Sequence, residues 1–376
     1  MNNIKDKRKK VFCEAGFLQE FQRNQPREEY DPDNYYEDCW KGLYRTLLHS
    51  DLAVNVSQKE YGQLCVNPED KDTYKQNPVL CKIWKSYTDH RIDMSFLADG
   101  FVGASAINAG KLDSSSLNAL YLTTLEDIAC QEKSEQFGII VINNNSLRDN
   151  NCIQLFKDNI TSVNPSQTQN WDFLQKYNKG SFKLSNCNSL IIVDSYLCSN
   201  VINRRTGQVK ISYQKKLDYN LRPILDCFLP KKLAEGICFE IVIIIGEENA
   251  NYSESLKYIN QIINDLRPNL NVKINFYKDN IVFHDRTIAT NNVLFRCGLG
   301  FDVFHKEGRA RKQTTADIAY PFFINNYDDD GFKDTYNDFM KCVKQITSRY
   351  PEQGINCWGS EDHSNRMVSF YTEKED

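Results

Sequence analysis

The run FHDRTIATNN, residues 283–292, sets His284, Asp285, Arg286 and Asn291 on a stretch whose other residues read as a strand. A histidine titrates near neutral pH and can attack phosphorus or protonate a leaving group. Side chains alternate along a strand, so Arg286, two residues on, shares a face with His284 and can hold anionic oxygens there. Three readings follow from these residue types. The first is a phosphodiester-cleaving site, and the second is an anion-binding site without hydrolysis. The third is an ordinary strand in which His284 is a satisfied polar group and Asp285, facing away from Arg286, makes a surface pair worth well under about 1 kcal/mol. Gly298 and Gly300, in the CGLGFD run that follows, suit strand bends or close backbone approach. No helix follows them directly, so they do not read as a phosphate loop.

The elements that must position these residues follow a strand–helix grammar. In the second half, SLIIVDSYL reads as a strand and NLRPILDCFLPKK as a helix with Pro223 near its start. ICFEIVIII is a buried strand, and SESLKYINQIINDL is a helix capped by Ser253 and stopped at Arg267-Pro268. NVKINFYK, IVFHDRTIAT and VLFRCGLGFDVF are three further strands, and DTYNDFMKCVKQITSRY is the last helix, ended by Pro351. A short strand is expected at RMVSFY, residues 366–371. In the first half, KVFCEAGFLQEFQ passes from strand to helix, YEDCWKGLYRTLLHS is helical, LAVNVS is a strand and QKEYGQLC starts a helix. SSLNALYLTTLEDIACQ has Leu117, Leu120, Tyr121, Thr124 and Ile128 at helical spacing and predicts a helix. FGIIVINNN predicts a buried strand ending in a polar loop. Polar segments at 143–151, 159–170 and 178–189 read as loops, with the main boundary within 160–185. Continuous apolar strands alternating with helices predict α/β architecture.

Bulk numbers narrow the class. At 376 residues the chain is long enough for two domains, and 41% hydrophobic with 12% aromatic residues is globular composition. A net charge of −4 carries no overall basic field, which leaves a local basic groove open. Thirteen cysteines without a C-x-x-C pair form neither a disulfide framework nor a zinc site and suit a reducing compartment. The longest apolar run, FEIVIII, is too short to span a bilayer, and the basic start MNNIKDKRKK leads into no signal-peptide hydrophobic region; a cytoplasmic location is expected. The acidic YDDDGF at 327–332 lacks the ligand alternation of a calcium loop and reads as solvated. The sequence holds no Walker loop, Rossmann fingerprint or nucleophile elbow.

The second half resembles the phospholipase D superfamily, whose motif is H-x-K followed by an Asp or Asn; here His284, Arg286 and Asn291 stand at that spacing. HDRTIATNNVLFRCGLGFDVF, residues 284–304, is similar to the phospholipase-D-like domain that follows the microtubule-interacting domain in some eukaryotic proteins. LIIVDSYL, with Asp194 and Tyr196, resembles an acidic-aromatic strand of related bacterial proteins. The resemblance implies His284 as nucleophile or acid, Arg286 as phosphate clamp and Asn291 as the residue that orients the imidazole. Asp285, Asp194, Tyr196 and Asp302 would line the pocket, with no cofactor. Active members use two histidines. Because His49, His90, His305 and His363 sit in no second motif, activity implies a homodimer with one His284 from each subunit. Arg for Lys departs from the motif and changes its geometry.

The first half resembles PIN-type ribonucleases, in which clustered carboxylates hold Mg²⁺ or Mn²⁺ to activate water. The first two acidic places fall on Glu14 and Glu60. The later ones fall on Asn118 and on Asn143 or Asn144, with Asp113 and Asp127 nearby. Glu14 and Glu60 also read as ordinary charges at helix starts.

The expected organisation is a basic tail at 1–10, a PIN-like domain at 11–165 with a parallel sheet covered by helices, a phospholipase-D-like mixed sheet with helices at 180–350, and a tail at 351–376. The expected function is recognition and cleavage of RNA or DNA phosphodiesters, in the manner of a microbial defence or toxin component. The alternative is an inactive adaptor that binds a partner protein, RNA or anionic lipid through degenerate nuclease folds.

Overall fold

Short apolar runs become strands, and their pairing sorts them into two units. The structure, a computed structural model, describes residues 9–23, 42–44, 46–48, 50–65, 78–97, 116–149, 156–160, 171–178, 182–246, 252–279, 286–298, 300–306, 309–310, 314–319, 330–350, 356–360 and 365–370. One unit comprises Met1–Ser134, Ile139–Gln154 and Phe322–Gly331; the other comprises Glu135–Gly138, Leu155–Pro321 and Phe332–Asp376. The architecture is α/β throughout, with a wholly parallel sheet in the first unit and a mixed sheet in the second, as the sequence predicts at that level.

The first unit contains β1 (Lys9–Cys13), α1 (Ala15–Arg23), β2 (Ser50–Val54), α2 (Gln58–Cys65), α3 (Pro78–Thr88), β3 (Asp93–Phe96), β4 (Leu120–Leu122), α4 (Asp127–Phe137), β5 (Ile140–Ile142) and α5 (Asn144–Asp149). Its strands run parallel in the order β3-β2-β1-β4-β5. The order reverses at β1, so β1 and β4 flank the switch point where open α/β sheets present a crevice.

Two sequence expectations are corrected here. The stretch 116–126 is not an α-helix, which begins only at Asp127: a 3-10 turn at Ser116–Asn118 leads into β4, whose Leu120, Tyr121 and Leu122 are all buried between β1 and β5. Strand pairing outweighs the helical spacing, and Ile128 is left 71% exposed. The polar NNN run is not a loop, because Asn143 Oδ1 accepts the Ser146 amide at 2.8 Å and caps α5.

The second unit contains β6 (Phe156–Ile160), β7 (Ser189–Val193), β8 (Val201–Ile202), β9 (Val209–Ile211), α6 (Tyr213–Lys216), α7 (Arg222–Phe228), β10 (Phe239–Ile245), α8 (Tyr252–Leu266), β11 (Val272–Lys278), β12 (Arg286–Thr290), β13 (Leu294–Cys297), β14 (Phe304–Lys306), β15 (Arg309–Ala310), β16 (Thr314–Ala319), α9 (Asp330–Arg349), β17 (Cys357–Gly359) and α10 (Arg366–Phe370). Eight strands form one sheet in the order β17-β11-β10-β7-β12-β13-β16-β6. β7, β10 and β11 are parallel, and the remaining pairings are antiparallel. β7 and β10 are buried along nearly their whole length, which is why they read as continuous apolar runs. β6 falls within the stretch expected to close the first domain and pairs here with β16. Beneath the sheet, Trp171 on a 3-10 turn (Trp171–Tyr177) packs against Phe295, Phe301 and Phe304 at 5.8, 6.1 and 5.4 Å.

A buried polar knot fastens one end of β7. Asn188 donates to the Phe137 and Gly138 carbonyls at 3.0 and 3.1 Å, and its side-chain and backbone oxygens accept from Arg366 at 2.9 and 3.0 Å. Arg366 also pairs with Glu240 at 3.3 Å. The same residues correct the last sequence expectation. Residues 366–370 are helical because Asn365 Oδ1 accepts the Met367 and Val368 amides, an N-cap, and the knot holds Arg366 at the helix start. Asn188→Leu removes the side-chain bonds to Phe137, Gly138 and Arg366, while the Gly138 carbonyl keeps Asn291 and Arg366 keeps the residue-188 carbonyl and Glu240. At about 1–3 kcal/mol for a buried polar site that loses its bonds, urea denaturation should show a loss in that range. A loss below about 1 kcal/mol would mean that the knot is dispensable.

Candidate functional site

The parallel strands β7 and β10 end at one edge of the second sheet, followed by Asp194 and Gly246. Asp194 is 1% exposed. Its Oδ1 accepts the Tyr196 amide at 2.8 Å, closing a tight turn, and its Oδ2 accepts the Phe301 amide at 2.7 Å. Burial raises the Asp194 carboxyl above its ordinary 3.8, and nearby Asp302 adds to the rise. The two N–H bonds and the Arg286 charge act in the opposite sense.

Arg286 opens β12 beside Asp194, because the pairing of Thr287 with Val193 brings the two strand ends together. Its Nη1 donates to the Gly298 carbonyl at 3.3 Å, and its guanidinium carbon lies 5.4 Å from the centre of the Tyr196 ring. Gly300, at φ +90°, completes the cradle. A Cβ there would stand 3.0 Å from Asp194 Oδ2 and 3.3 Å from Arg286 Nε. The glycine therefore lets the turn close on both side chains, which is the close backbone approach read from the sequence.

Two residues that sequence reasoning missed support this cradle. Lys216, 2% exposed, donates to the Tyr196 and Ser199 carbonyls at 2.6 and 3.0 Å and pairs with Asp302 at 3.6 Å. Asn220 donates to the Phe304 carbonyl and accepts the Phe304 amide, both at 2.8 Å, and accepts Trp171 Nε1 at 3.1 Å. Both lie on one helix that widens into a π-turn at Leu217–Leu221, where the Arg222 amide reaches back to the Leu217 carbonyl. Pro223 has no N–H for the carbonyl four residues back, and the helix opens just before it. A proline inside an otherwise helical pattern was the available signal, since π-turns gather at functional sites.

The structure thus brings together Asp194, Tyr196, Arg286 and Asp302. It does not bring Asn291 to them. Asn291 lies past the opposite end of β12, about 17 Å along the strand from Arg286 at about 3.3 Å per residue. Its side chain accepts the Asn188 amide at 3.0 Å and donates to the Gly138 carbonyl at 2.9 Å. That is a structural tie at the polar knot, so the orienting role expected of Asn291 is corrected. His284 and Asp285 lie outside the described residues. Cys198 is no alternative nucleophile: burial pushes its thiol up to about 12, so it stays protonated near neutral pH.

In the first unit, Glu14 Oε2 accepts both the amide and the hydroxyl of Thr124 at 2.7 Å, joining the ends of β1 and β4. Glu60 is fully exposed. Its carboxylate accepts the Ser57 amide at 2.8 Å while Ser57 Oγ accepts the Glu60 amide at 3.2 Å, a reciprocal capping box that holds the Glu60 carboxyl below its usual range. Asn143 donates to Asp127 and to the Leu125 carbonyl, and Asn118 is buried in the 3-10 turn. Among the described residues no group of three or more His, Cys, Asp or Glu side chains converges, and Asp113 lies outside the described residues.

No protein-family model matches this chain, and no curated protein matches it. Among the described residues, no helix is long and apolar enough to cross a membrane. The chain is therefore characterised by its two α/β units and by the cradle at the end of β7.

Gly300→Ala forces a Cβ into the left-handed region and against Asp194; thermal or urea melts should show a loss of about 1–3 kcal/mol. An unchanged midpoint would mean that the turn can move away. For Asp194 the sign follows from its raised carboxyl. The stability it contributes is complete below 3.8 and is lost as pH rises through the raised folded value. The stability advantage of the natural protein over Asp194→Asn should shrink as pH rises through that window. An advantage that grows with pH would contradict the assigned cause.

Proposed function

We propose that the second unit recognises the phosphodiester of a nucleic acid, with Arg286 as the phosphate clamp and His284 as the nucleophile or acid of a cleavage reaction. One observation carries the reading. The Arg286 guanidinium is held at the carboxyl end of β7 by the Gly298 carbonyl, the Tyr196 ring and the nearby Asp194 charge, two residues after His284 in the chain. A planar guanidinium fixed at one edge offers a fork that matches two phosphate oxygens. The likeness of residues 284–304 to phospholipase-D-like domains supports the same chemistry, which needs no cofactor. A cytoplasmic homodimer would supply the second histidine. The parallel sheet of the first unit suits a PIN-like origin, with Glu14 and Glu60 at the first two acidic places.

A second reading has its own support: the arginine in place of the motif lysine, the single H-x-R motif and the lack of a carboxylate cluster among the described residues favour an adaptor that binds without turnover. Labelled RNA and DNA, incubated with the full chain in EDTA, Mg²⁺ or Mn²⁺, separate the two. Metal-independent cleavage should fall at least about 100-fold in His284→Ala, on the usual scale for a general acid or base. Arg286→Ala should lose cleavage, while Arg286→Lys retains part of it. Undiminished cleavage by His284→Ala would sink the catalytic assignment. Binding lost in Arg286→Ala, with no turnover by any form, would establish the adaptor. Cleavage that requires metal would move the chemistry to the first unit.

A further inference from the structure

Between Asp194 and Asp218 the chain carries Arg204, Arg205, Lys210, Lys215 and Lys216 and no acidic residue, in a protein whose net charge is −4. The centre of that stretch is a hairpin, β8 and β9, that joins neither large sheet. Every residue from Arg204 to Lys210 is exposed, and so are the apolar side chains of Ile202 and Val209, at 39% and 54%. A two-stranded hairpin with no core beneath it is marginal in water. This one is preorganised at its tip: the Gly207 amide donates to the Asn203 carbonyl at 2.8 Å, the Asn203 amide donates to Gln208 at 2.8 Å, and Asn203 Oδ1 accepts the Arg205 amide at 3.0 Å. Gly207 supplies the left-handed residue of the turn, at φ +68°. Among the described residues, Arg204, Arg205, Lys210 and Lys215 make no ion pair. A turn fastened by three hydrogen bonds that holds unpaired cations in water is presenting them.

The base of the hairpin is also a wall of the cradle. Asn200, just before β8, accepts the Tyr213 amide at 2.8 Å, and Lys216 fastens the Tyr196–Ser199 turn from which the hairpin rises. Tyr196, 42% exposed, stands at that base with its ring against Arg286.

We propose that the β8–β9 hairpin is a binding arm for single-stranded nucleic acid, with Arg204, Arg205 and Lys210 tracking the phosphate backbone and Tyr196 stacking an unpaired base beside Arg286. This rests on the phosphodiester reading of the Arg286 site and names its substrate as a single strand. Basic residues along a surface with an exposed aromatic at its end are the two elements of sequence-independent single-strand binding. A duplex hides its base faces from such a ring, and a neutral partner would gain nothing from the unpaired cations.

The test is fluorescence anisotropy of the full chain with labelled oligouridylate, the matching duplex and phosphatidylserine vesicles, across a salt series. Oligouridylate should bind more tightly than the duplex, with affinity falling steeply with salt. Arg204→Glu/Arg205→Glu/Lys210→Glu should weaken that binding at least about tenfold and flatten the salt dependence. The milder triple glutamine variant should do so by a smaller factor, with melting temperatures unchanged in both. Arg286→Ala should abolish any cleavage and weaken oligouridylate binding through the clamp, and adding the triple glutamate substitution to it should weaken binding at least about tenfold further, because the arm and the clamp hold different phosphates. Failure of the arm and failure of the clamp are therefore read separately. Unchanged affinity in both triple variants, equal affinity for the duplex, or charge-dependent binding of vesicles in place of oligouridylate would each overturn the proposal.

Discussion

The second unit depends at its working edge on one buried carboxylate. Asp194 sits where β7 ends, almost without solvent, and is held by two backbone amides from different parts of the chain. Removing a carboxylate from water is costly, and here burial outweighs the hydrogen bonds in setting its proton affinity. What the arrangement secures is position. One oxygen fixes the turn that exposes Tyr196, and the other draws the Gly300–Phe301 turn down onto the strand end. The Arg286 stem is thereby trapped between two pieces of backbone that could otherwise separate.

Around that anchor the remaining parts are matched to one another. The aromatic group of Trp171, Phe295, Phe301 and Phe304 gives the turn an apolar floor, and the Asn220 amide satisfies both polar groups of Phe304 and the indole N–H. A π-turn lets one helix deliver Lys216 and Asn220 to the same neighbourhood, so a local departure from α-helical bonding becomes a means of positioning. Lys216 also neutralises the acidic side of the site through Asp302. The far end of β7 is fastened independently by the Asn188, Asn291 and Arg366 group. The strand is thus pinned by polar networks at both ends, with apolar packing between them.

The first unit spends its acidic residues differently. Glu14 joins the ends of β1 and β4 through Thr124, and Glu60 closes a helix cap with Ser57. Glu60 thus stabilises local backbone, the ordinary use of an acid at a helix start, whereas Glu14 ties two strand ends that are distant in the chain. The parallel order places its switch point beside β1 and β4, where Glu14, Thr124, Asp127 and Asn143 are joined by hydrogen bonds.

The α/β class, the apolar strands β7 and β10 and the helices α8 and α9 were legible in the chain because periodicity is a local property. Asp194, Tyr196, Arg286 and Asp302 were singled out instead by the resemblance of their strands to phospholipase-D-like sequences. The sequence also marked Gly300 as a site of close approach, since only a glycine between two strands invites that reading. The tertiary structure alone decided the rest. Leu120–Leu122 became a strand because β1 and β5 flank it, against a helical spacing that a single chain segment could not overrule. Residues 366–370 became helical because Asn365 caps them and Arg366 found Asn188 across the fold. Asn291 kept the spacing of a site residue, yet it serves the opposite end of its strand. Lys216 and Asn220 entered the site only through a widened helical turn. Each of these depends on contacts between residues far apart in the chain, whose energies exceed the local preferences that a sequence displays.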